Sequence, residues 1–414
     1  MPIAAVPQYL GADFSAASPG LRFGMYLKLW GINQRSKELL WTTHDIDYAV
    51  RGQDRQEREI RPENKVAALK DATPLNAGDK AVMQAQLARQ RGIFSALPEA
   101  CRLALDAQAV APFTTGLGNE HPLENGFAFL NPYGLPYLPG SGIKGVLRQA
   151  ARELASGEWG DTQGWTDDTM TALFGRQSND GDTKHLRGAL TFWDVIPQIK
   201  GDHLSVEIMT PNQTHYYQKG ESPHDSGSPT PISFLTVPPD SGFTFHVQCD
   251  LALLARTTPE LAKNGQWKTL LQVAFAHAFE WLGFGAKTAV GYGAMKEDLA
   301  QKSVRQKEME EQQEAARRNA MSEEDRLAED HQKTISEFQG KFDLVEKTKY
   351  QPGSKFDNDR HEFMKIALSW DNAHSRQQAG NLLTKTLKWG VPSNKESKQR
   401  LKDAVAALKG NTAG

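Results

Sequence analysis

Cysteine is nearly absent from this chain. Cys101 and Cys249 are the two thiols in 414 residues. They can build neither a disulfide framework nor a cysteine-based zinc cluster, and their scarcity fits a reducing compartment. Long apolar runs are also missing. No stretch approaches the roughly 20 residues that a helix needs to span a bilayer. The opening MPIAAVPQYLGADFSA has no basic n-region followed by an apolar core, so it does not read as a signal peptide. A soluble cytoplasmic protein without membrane contact is the expectation. A charge excess of one sign is lacking as well, because the net charge is −2.

That near-neutrality hides an uneven distribution. Residues 105–298 carry 13 basic and 21 acidic side chains, whereas 347–414 carry 13 and 6. A nucleic-acid site in the middle of the chain has to be a local channel rather than a broad basic face.

Four regions follow from texture. Residues 1–104 read as a mostly helical N-terminal layer. KAVMQAQLARQRGIFSALPEACRLALDA has apolar residues at helical spacing, interrupted by Gly92 and Pro98. Residues 105–298 alternate strands and helices. AVAPFTTGLG reads as a strand, LPYLPGSGIKGVLRQAARELA as a turn and helix, and RGALTFWDVI and HLSVEIMT as strands. GFTFHVQCDLALLA is a further strand, QWKTLLQVAFAHAFEWLGFG a helix, and KTAVGYGAM a final strand. The order β-α-β-β-α-β with insertions predicts an α+β, ferredoxin-like (RRM-like) fold. Residues 299–346 are almost all charged, Gln or Ala and predict one or two long exposed helices. Residues 347–414 form a basic tail with two amphipathic helices, in NDRHEFMKIALSWD and SNKESKQRLKDAVAALKG.

GFGAKTAVGYGAM looks at first like a phosphate loop. A Walker loop requires G-x-x-x-x-G-K-[ST] between a strand and the helix that follows it. Here Ala286 precedes Lys287, Trp281 stands at the first glycine position, and the predicted order is helix, loop, strand. The dinucleotide fingerprint fails for the same reason. What remains is either a tightly packed glycine turn or a wall that a ligand approaches closely.

A second motif bears on that choice. In YLPGSGIKGVLRQAARE, Gly140, Ser141 and Gly142 open a helix whose apolar face is Ile143, Val146, Leu147, Ala150 and Leu154. Lys144, Arg148 and Arg152 recur every four residues as one basic stripe. A hydroxyl, helix N–H groups and a row of cations suit a phosphate backbone. The plainer reading is a solvated face paired with Glu153 or Glu158. Glu120, His121 and Glu124 match no zinc spacing and read as acid–base candidates or as loop structure. His215, Tyr216 and Tyr217 in THYYQKG read as base-stacking groups or as half-buried strand-end residues. Asp194, at a strand end, has no visible partner.

The paired motifs LPGSGIKGVLR and GFGAKTAVGYG resemble the RAMP superfamily of CRISPR proteins. TTGLGNEHPLENGFAFLNPYGLPYLPG, GALTFWDVIP, IMTPNQTHYY and PTPISFLTV narrow the resemblance to the sixth-subunit family of the type III-B Cmr effector, over residues 100–297. One departure is Asn212, where a histidine close after the proline is expected. The resemblance implies a non-catalytic, cofactor-free and metal-free subunit in antiviral, RNA-guided interference. It would cap the effector backbone near the 3′ end of the CRISPR RNA. Its partners would be that RNA, target RNA through it, and neighbouring backbone, small and capping Cmr subunits. Ser141, Gly142, Lys144 and Arg148 would contact the RNA backbone. Gly285, Lys287, Thr288, Gly291 and Gly293, with Tyr292 among them, would form the wall along which the RNA lies. The loop 217–231 would be a wedge at the guide–target duplex, and 299–414 a docking element. The competing readings are an endoribonuclease using His121 or His215 and a scaffold that touches no RNA.

Overall fold

The structure is a computed structural model that describes residues 6–40, 42–51, 56–176, 185–210, 216, 220, 222, 231–345, 353–387 and 395–410. It divides into two compact units, Met1–Ser303 and Val304–Gly414.

The first unit is organised by a four-stranded sheet of β5 (Arg102–Ala109), β8 (Leu190–Phe192), β11 (Gly242–Cys249) and β12 (Met295–Glu297). Across the sheet the order is β12-β5-β11-β8, with every neighbouring pair antiparallel. Along the chain, α4 (Gly140–Ser156) lies between β5 and β8, and α8 (Gln266–His277) between β11 and β12. The sequence therefore runs strand, helix, strand, strand, helix, strand, with the two halves interleaved. The long insert between β8 and β11 carries a separate hairpin, β9 (Ser205–Met209) with β10 (Ile232–Thr236).

Period-two alternation explains the central pair. Leu103, Leu105, Ala107 and Ala109 of β5 share a buried set with Phe243, Phe245, Val247 and Cys249 of β11. Helical spacing supplies the other side of that core. Ile143, Leu147, Ala150 and Leu154 of α4 join Trp267, Leu271, Ala274 and Phe275 of α8. Burying each large aliphatic or aromatic side chain contributes roughly 1.5–3 kcal/mol relative to exposure.

Two strand expectations need correction. The first strand is 102–109 rather than the stretch beginning at Ala109. The helical spacing of the preceding segment ends with α3 (Ala77–Ser95), and tertiary pairing with β11 overrides the pattern over ACRLALDA. KTAVGYG is not a strand either. It forms turns, and β12 begins only at Met295.

The N-terminal layer is less helical than expected. Helices α1 (Pro19–Phe23), α2 (Lys65–Asp71) and α3 accompany two hairpins, β1 (Gly31–Ile32) with β2 (Leu39–Leu40) and β3 (Asp47–Arg51) with β4 (Gln56–Ile60). The layer is no separate domain. Phe23, Leu27, Leu29, Ala68 and Leu69 belong to the same core as the sheet. Phe94 of α3 meets the opposite face of β11 through His246, at 4.5 Å between ring centroids, and Trp193 at 5.4 Å. The smaller elements β6 (Phe129–Leu130), β7 (Leu135–Pro136), α5 (Asp167–Phe174), α6 (Leu251–Thr257) and α7 (Pro259–Ala262) complete the unit.

Helix α9 (Leu299–Ala320) leads from β12 into the second unit. It is followed by α10 (Glu323–Val345), and the turn between them is clasped by Arg317 on Glu329 and Arg318 on Asp330. Residues 299–346 and 347–414, expected as separate stretches, share one core. Ile335, Phe338 and Phe342 of α10 pack with Phe356 and Phe363 of α11 (Lys355–Leu368) and with Leu382 and Leu383 of α12 (Ala373–Thr386). Leu401, Val405 and Leu408 of α13 (Lys395–Leu408) join the same core. Among the described residues the tail therefore has three helices where two were expected. No helix among the described residues is long and apolar enough to cross a membrane.

Candidate nucleic-acid interface

Helix α4 begins after Pro139 and ends at Gly157, whose left-handed backbone (φ 72°) stops it. Its first turn carries no acid and its last turn no base. The helix dipole is therefore left uncompensated by the helix's own side chains.

Asp194, which had no partner in the sequence reading, supplies an anion from outside. Its Oδ1 accepts the Gly140 N–H at 2.7 Å. The N–H groups of Gly142 and Ile143 both go to the Pro139 carbonyl, at 2.9 and 3.2 Å. The helix N-terminus is thus largely spent on internal bonds and is not the open anion cradle that the motif suggests. Gly140 is also buried, and a Cβ there would lie 2.2 Å from the Phe192 carbonyl oxygen. Its role is close packing of α4 on β8. Ser141 and Gly142 are exposed, and a Cβ on Gly142 would meet nothing nearer than Leu138 at 3.7 Å.

The basic stripe splits in the same way. Arg148 donates through Nη2 to the carbonyls of Phe174 and Gly175, at 2.8 and 2.6 Å. It caps the C-terminus of α5, where orphan carbonyls favour a cation. Arg152 is exposed and donates to Gln149 Oε1 at 2.9 Å. Lys144 is half-buried. Burial, and then the charges of Arg148 and Arg187, push its ammonium below the ordinary lysine range. Burial and Arg152 lower the guanidinium of Arg148. Arg187 is exposed beside this cluster, across a bridge from Gly175. The sequence reading missed it, since it lies 43 residues after Lys144 with no periodic relation to α4. The signal available was a lone cation at the start of RGALTFWD. Lys144, Arg148, Arg152 and Arg187 form a basic cluster in an otherwise acidic region, where burial and the repulsion of like charges both disfavour the charged form of Lys144.

The glycine loop is built as a packing device. The Phe284 N–H bonds the Gly293 carbonyl at 2.9 Å, and the Gly293 N–H bonds Pro112 at 2.8 Å. The Ala286 N–H bonds Thr114 at 2.8 Å. A Cβ on Gly293 would lie 1.8 Å from the Phe284 oxygen, and one on Gly285 2.3 Å from the Thr114 oxygen. Both also have positive φ, 69° and 94°. Lys287, itself left-handed at φ 61°, folds onto the β9–β10 hairpin. Its Nζ lies 3.6 Å from Met209 Sδ and 5.3 Å from the Phe234 ring centroid. Tyr292 packs edge-on against Phe234 at 5.4 Å, and burial, then Glu207, raise its hydroxyl above the usual tyrosine range. Thr288 is half-buried and Gly291 exposed. Lys287 and Tyr292 thus anchor this wall to the hairpin.

A polar contact between α4 and the segment entering the loop lies at the far end of the helix. Glu153 Oε2 meets His277 Nε2 at 2.7 Å, about 20 Å along α4 from Gly140.

The remaining candidates fall apart. His121 is stacked on Phe23 at 3.8 Å. The Leu123 N–H donates to its Nδ1 at 3.2 Å, so Nε2 carries the proton and donates to the Phe23 carbonyl at 2.9 Å. Burial lowers its basicity. Both ring nitrogens serve the fold. Glu124 pairs with Lys65 at 2.8 Å, and Glu120 is exposed. No group of three metal-ligating side chains occurs among the described residues. Tyr216 is 46% exposed. His215, Tyr217, Asn212 and nearly all of 217–231 lie outside the described residues.

Residues 106–296 match the model of the RAMP superfamily. Over that span the chain is a RAMP-superfamily domain. The matched span begins inside β5 and ends inside β12, so the RAMP domain takes in all four sheet strands, both covering helices, the helix-opening motif and the glycine loop. The chain is also related to the CRISPR system Cmr subunit Cmr6 of Pyrococcus furiosus, with 28% identity over 240 residues. That match takes in 44% of this chain and 64% of the relative, so the chain spans under two thirds of that protein's length. Among solved structures, a chain of a type III-B Cmr-beta complex bound to cognate target RNA aligns with a TM-score of 0.40 and 17% identity, covering 56% of this chain and 71% of that one. Cmr6 from Pyrococcus furiosus aligns with a TM-score of 0.27 and 25% identity, covering 48% and 98%.

Proposed function

We propose that this RAMP protein is a non-catalytic guide-RNA-binding subunit of a type III-B CRISPR effector, capping its backbone near the guide 3′ end. The core is read as ferredoxin-like, on the strand order β12-β5-β11-β8. One observation carries the functional reading. Lys144, Arg148, Arg152 and Arg187 gather at α4 within a domain that has more acids than bases, and burial, then the neighbouring Arg148 and Arg187, lower Lys144. A local basic cluster without acidic partners at its half-buried lysine suits the phosphates of a single strand.

Phosphate contacts come from side chains here, since Asp194 takes the Gly140 N–H and the Pro139 carbonyl takes those of Gly142 and Ile143. Ser141, Lys144, Arg152 and Arg187 are the expected contacts. Gly142 gives the strand a surface without side chain, and the loop from Gly285 to Gly293 gives it a rigid wall. Guide and target RNA and the other Cmr subunits are the partners. The ribonuclease reading loses His121, whose nitrogens are both committed.

The test is guide-RNA binding by the full chain over a salt series. Replacing Lys144, Arg152 and Arg187 together with alanine is expected to lower the affinity. It should also reduce the slope of log K against log salt by about 0.7 for each phosphate that is no longer neutralised. An unchanged slope and affinity would overturn the reading.

A further inference from the structure

Helix α4 changes character along its length. After Arg152 the side chains become Glu153 and, past the cap, Glu158 and Trp159. Trp159 stands against Trp281 with ring centroids 5.1 Å apart and planes at 56°. Trp159 and Trp281 remain 49% and 58% exposed, which is unusual for two large aromatics already in contact. Trp159 is held from below by the buried His277, edge-on at 5.0 Å. His277 is fixed in turn by Glu153 Oε2 at 2.7 Å, and Glu153 Oε1 accepts from Gln149 at 2.9 Å. The pair is therefore a pre-set platform and not a loose surface feature.

The charge around it is negative. Glu158 and Glu280 adjoin the two tryptophans in sequence, and both are exposed. The C-terminal ends of α4 and of the segment through the π-helical turn Ala278–Leu282 also meet here, and helix C-termini carry partial negative charge. Acids and helix C-termini repel a phosphate backbone. They attract a cation, and a guanidinium or ammonium over an indole face gains further from the ring quadrupole.

We infer that the Trp159–Trp281 face is a docking site for an arginine- or lysine-bearing segment of a neighbouring protein. This rests on the reading of the chain as an effector subunit. It assigns the two ends of α4 to opposite partners, RNA at the cationic end and a basic protein surface at the aromatic, acidic end. Paired aromatics with a cationic partner are the composition of binding hot spots.

Two measurements on the full chain test it. In the first, the tryptophans are replaced biosynthetically with 5-fluorotryptophan and the fluorine resonances of Trp159 and Trp281 are assigned by single Phe substitutions. The peptide Gly-Arg-Gly-Arg-Gly is then titrated against its citrulline counterpart. The arginine peptide is expected to move both resonances at least about fivefold more than the neutral one. In the second, W159A/W281A and E158K/E280K chains are compared with wild type for incorporation into a particle reconstituted with the other Cmr subunits and guide RNA. Incorporation is expected to fall at least about tenfold, with guide-RNA affinity and melting temperature of the free chain unchanged. W159F/W281F should incorporate normally.

Absence of a peptide response together with full incorporation of both variants overturns the docking site and leaves the effector reading standing. Loss of RNA affinity in W159A/W281A makes the face an RNA-stacking site instead and overturns the proposal. A peptide response from a wild-type chain that joins no particle keeps the cation site and overturns the effector reading.

Discussion

The two glycine-rich motifs of the RAMP domain look alike in sequence and are built for different ends. In the loop 283–293, glycine is demanded by the protein's own backbone. A Cβ on Gly293 or Gly285 would collide with a carbonyl oxygen at 1.8 or 2.3 Å. In the turn that opens α4, that demand is confined to Gly140, while a Cβ on the exposed Gly142 would make only an ordinary contact with Leu138. A string of glycines is thus no measure of ligand contact. The loop is a wall because the fold needs it rigid. The turn is a surface because one of its glycines has no structural task.

The comparison is most easily broken at its stiffest point. Gly293→Ala is expected to cost about 3 kcal/mol or more, the sum of a left-handed backbone and an overlap with backbone that cannot give way. Urea unfolding of the full chain measures it, and a loss below about 1 kcal/mol would mean that the loop yields. Arg148→Ala is expected to cost about 1.5–3 kcal/mol, because two carbonyls at the end of α5 lose a charged donor. Arg152→Ala, one turn along, should stay within about 0.5 kcal/mol. Equal costs for the two arginines would erase the division between structural and solvent-facing cations. A smaller effect is expected from Gly142→Ala. Relief of helix-interior glycine should add about 0.5–1 kcal/mol of stability, while guide-RNA affinity falls if the strand lies on that turn. A gain in stability with unchanged RNA affinity would move the strand elsewhere.

The pH dependence sharpens one further contrast. His121 is held neutral, with its folded pKa below the ordinary 6.5. Stability tied to it is full above the unfolded value and is lost as pH falls through the folded one. Melting of the full chain should therefore drop on acidification below about pH 6.5, and the drop should shrink in His121→Gln. A catalytic histidine would instead show in an RNA-cleavage profile.

Much of the architecture was legible locally. The stripe Ile143, Leu147, Ala150 and Leu154 fixed α4, and Phe243, Phe245 and Val247 fixed β11, because burial on one face imposes a period. The first sheet strand was misplaced, because 102–109 follows a helical segment and is decided by its pairing with 242–248. The third helix of the tail was missed. Its HSRQQAGNLL is polar for most of its first turns, and its buried side is defined by packing on α10 and α13. Arg187 joins the basic cluster through a chain reversal that no local pattern announces.

The sequence by itself determined the RAMP core, the helix that carries the cations and the positions where glycine stands. Those depend on short-range periodicity and on motifs a dozen residues long. The tertiary structure alone decided which of these groups remain available to a ligand. Asp194 takes the first N–H of α4 from 54 residues away, and the α5 carbonyls take Arg148 from 26 residues away. A buried donor or acceptor must find a partner wherever the chain brings one, and that choice is made in three dimensions.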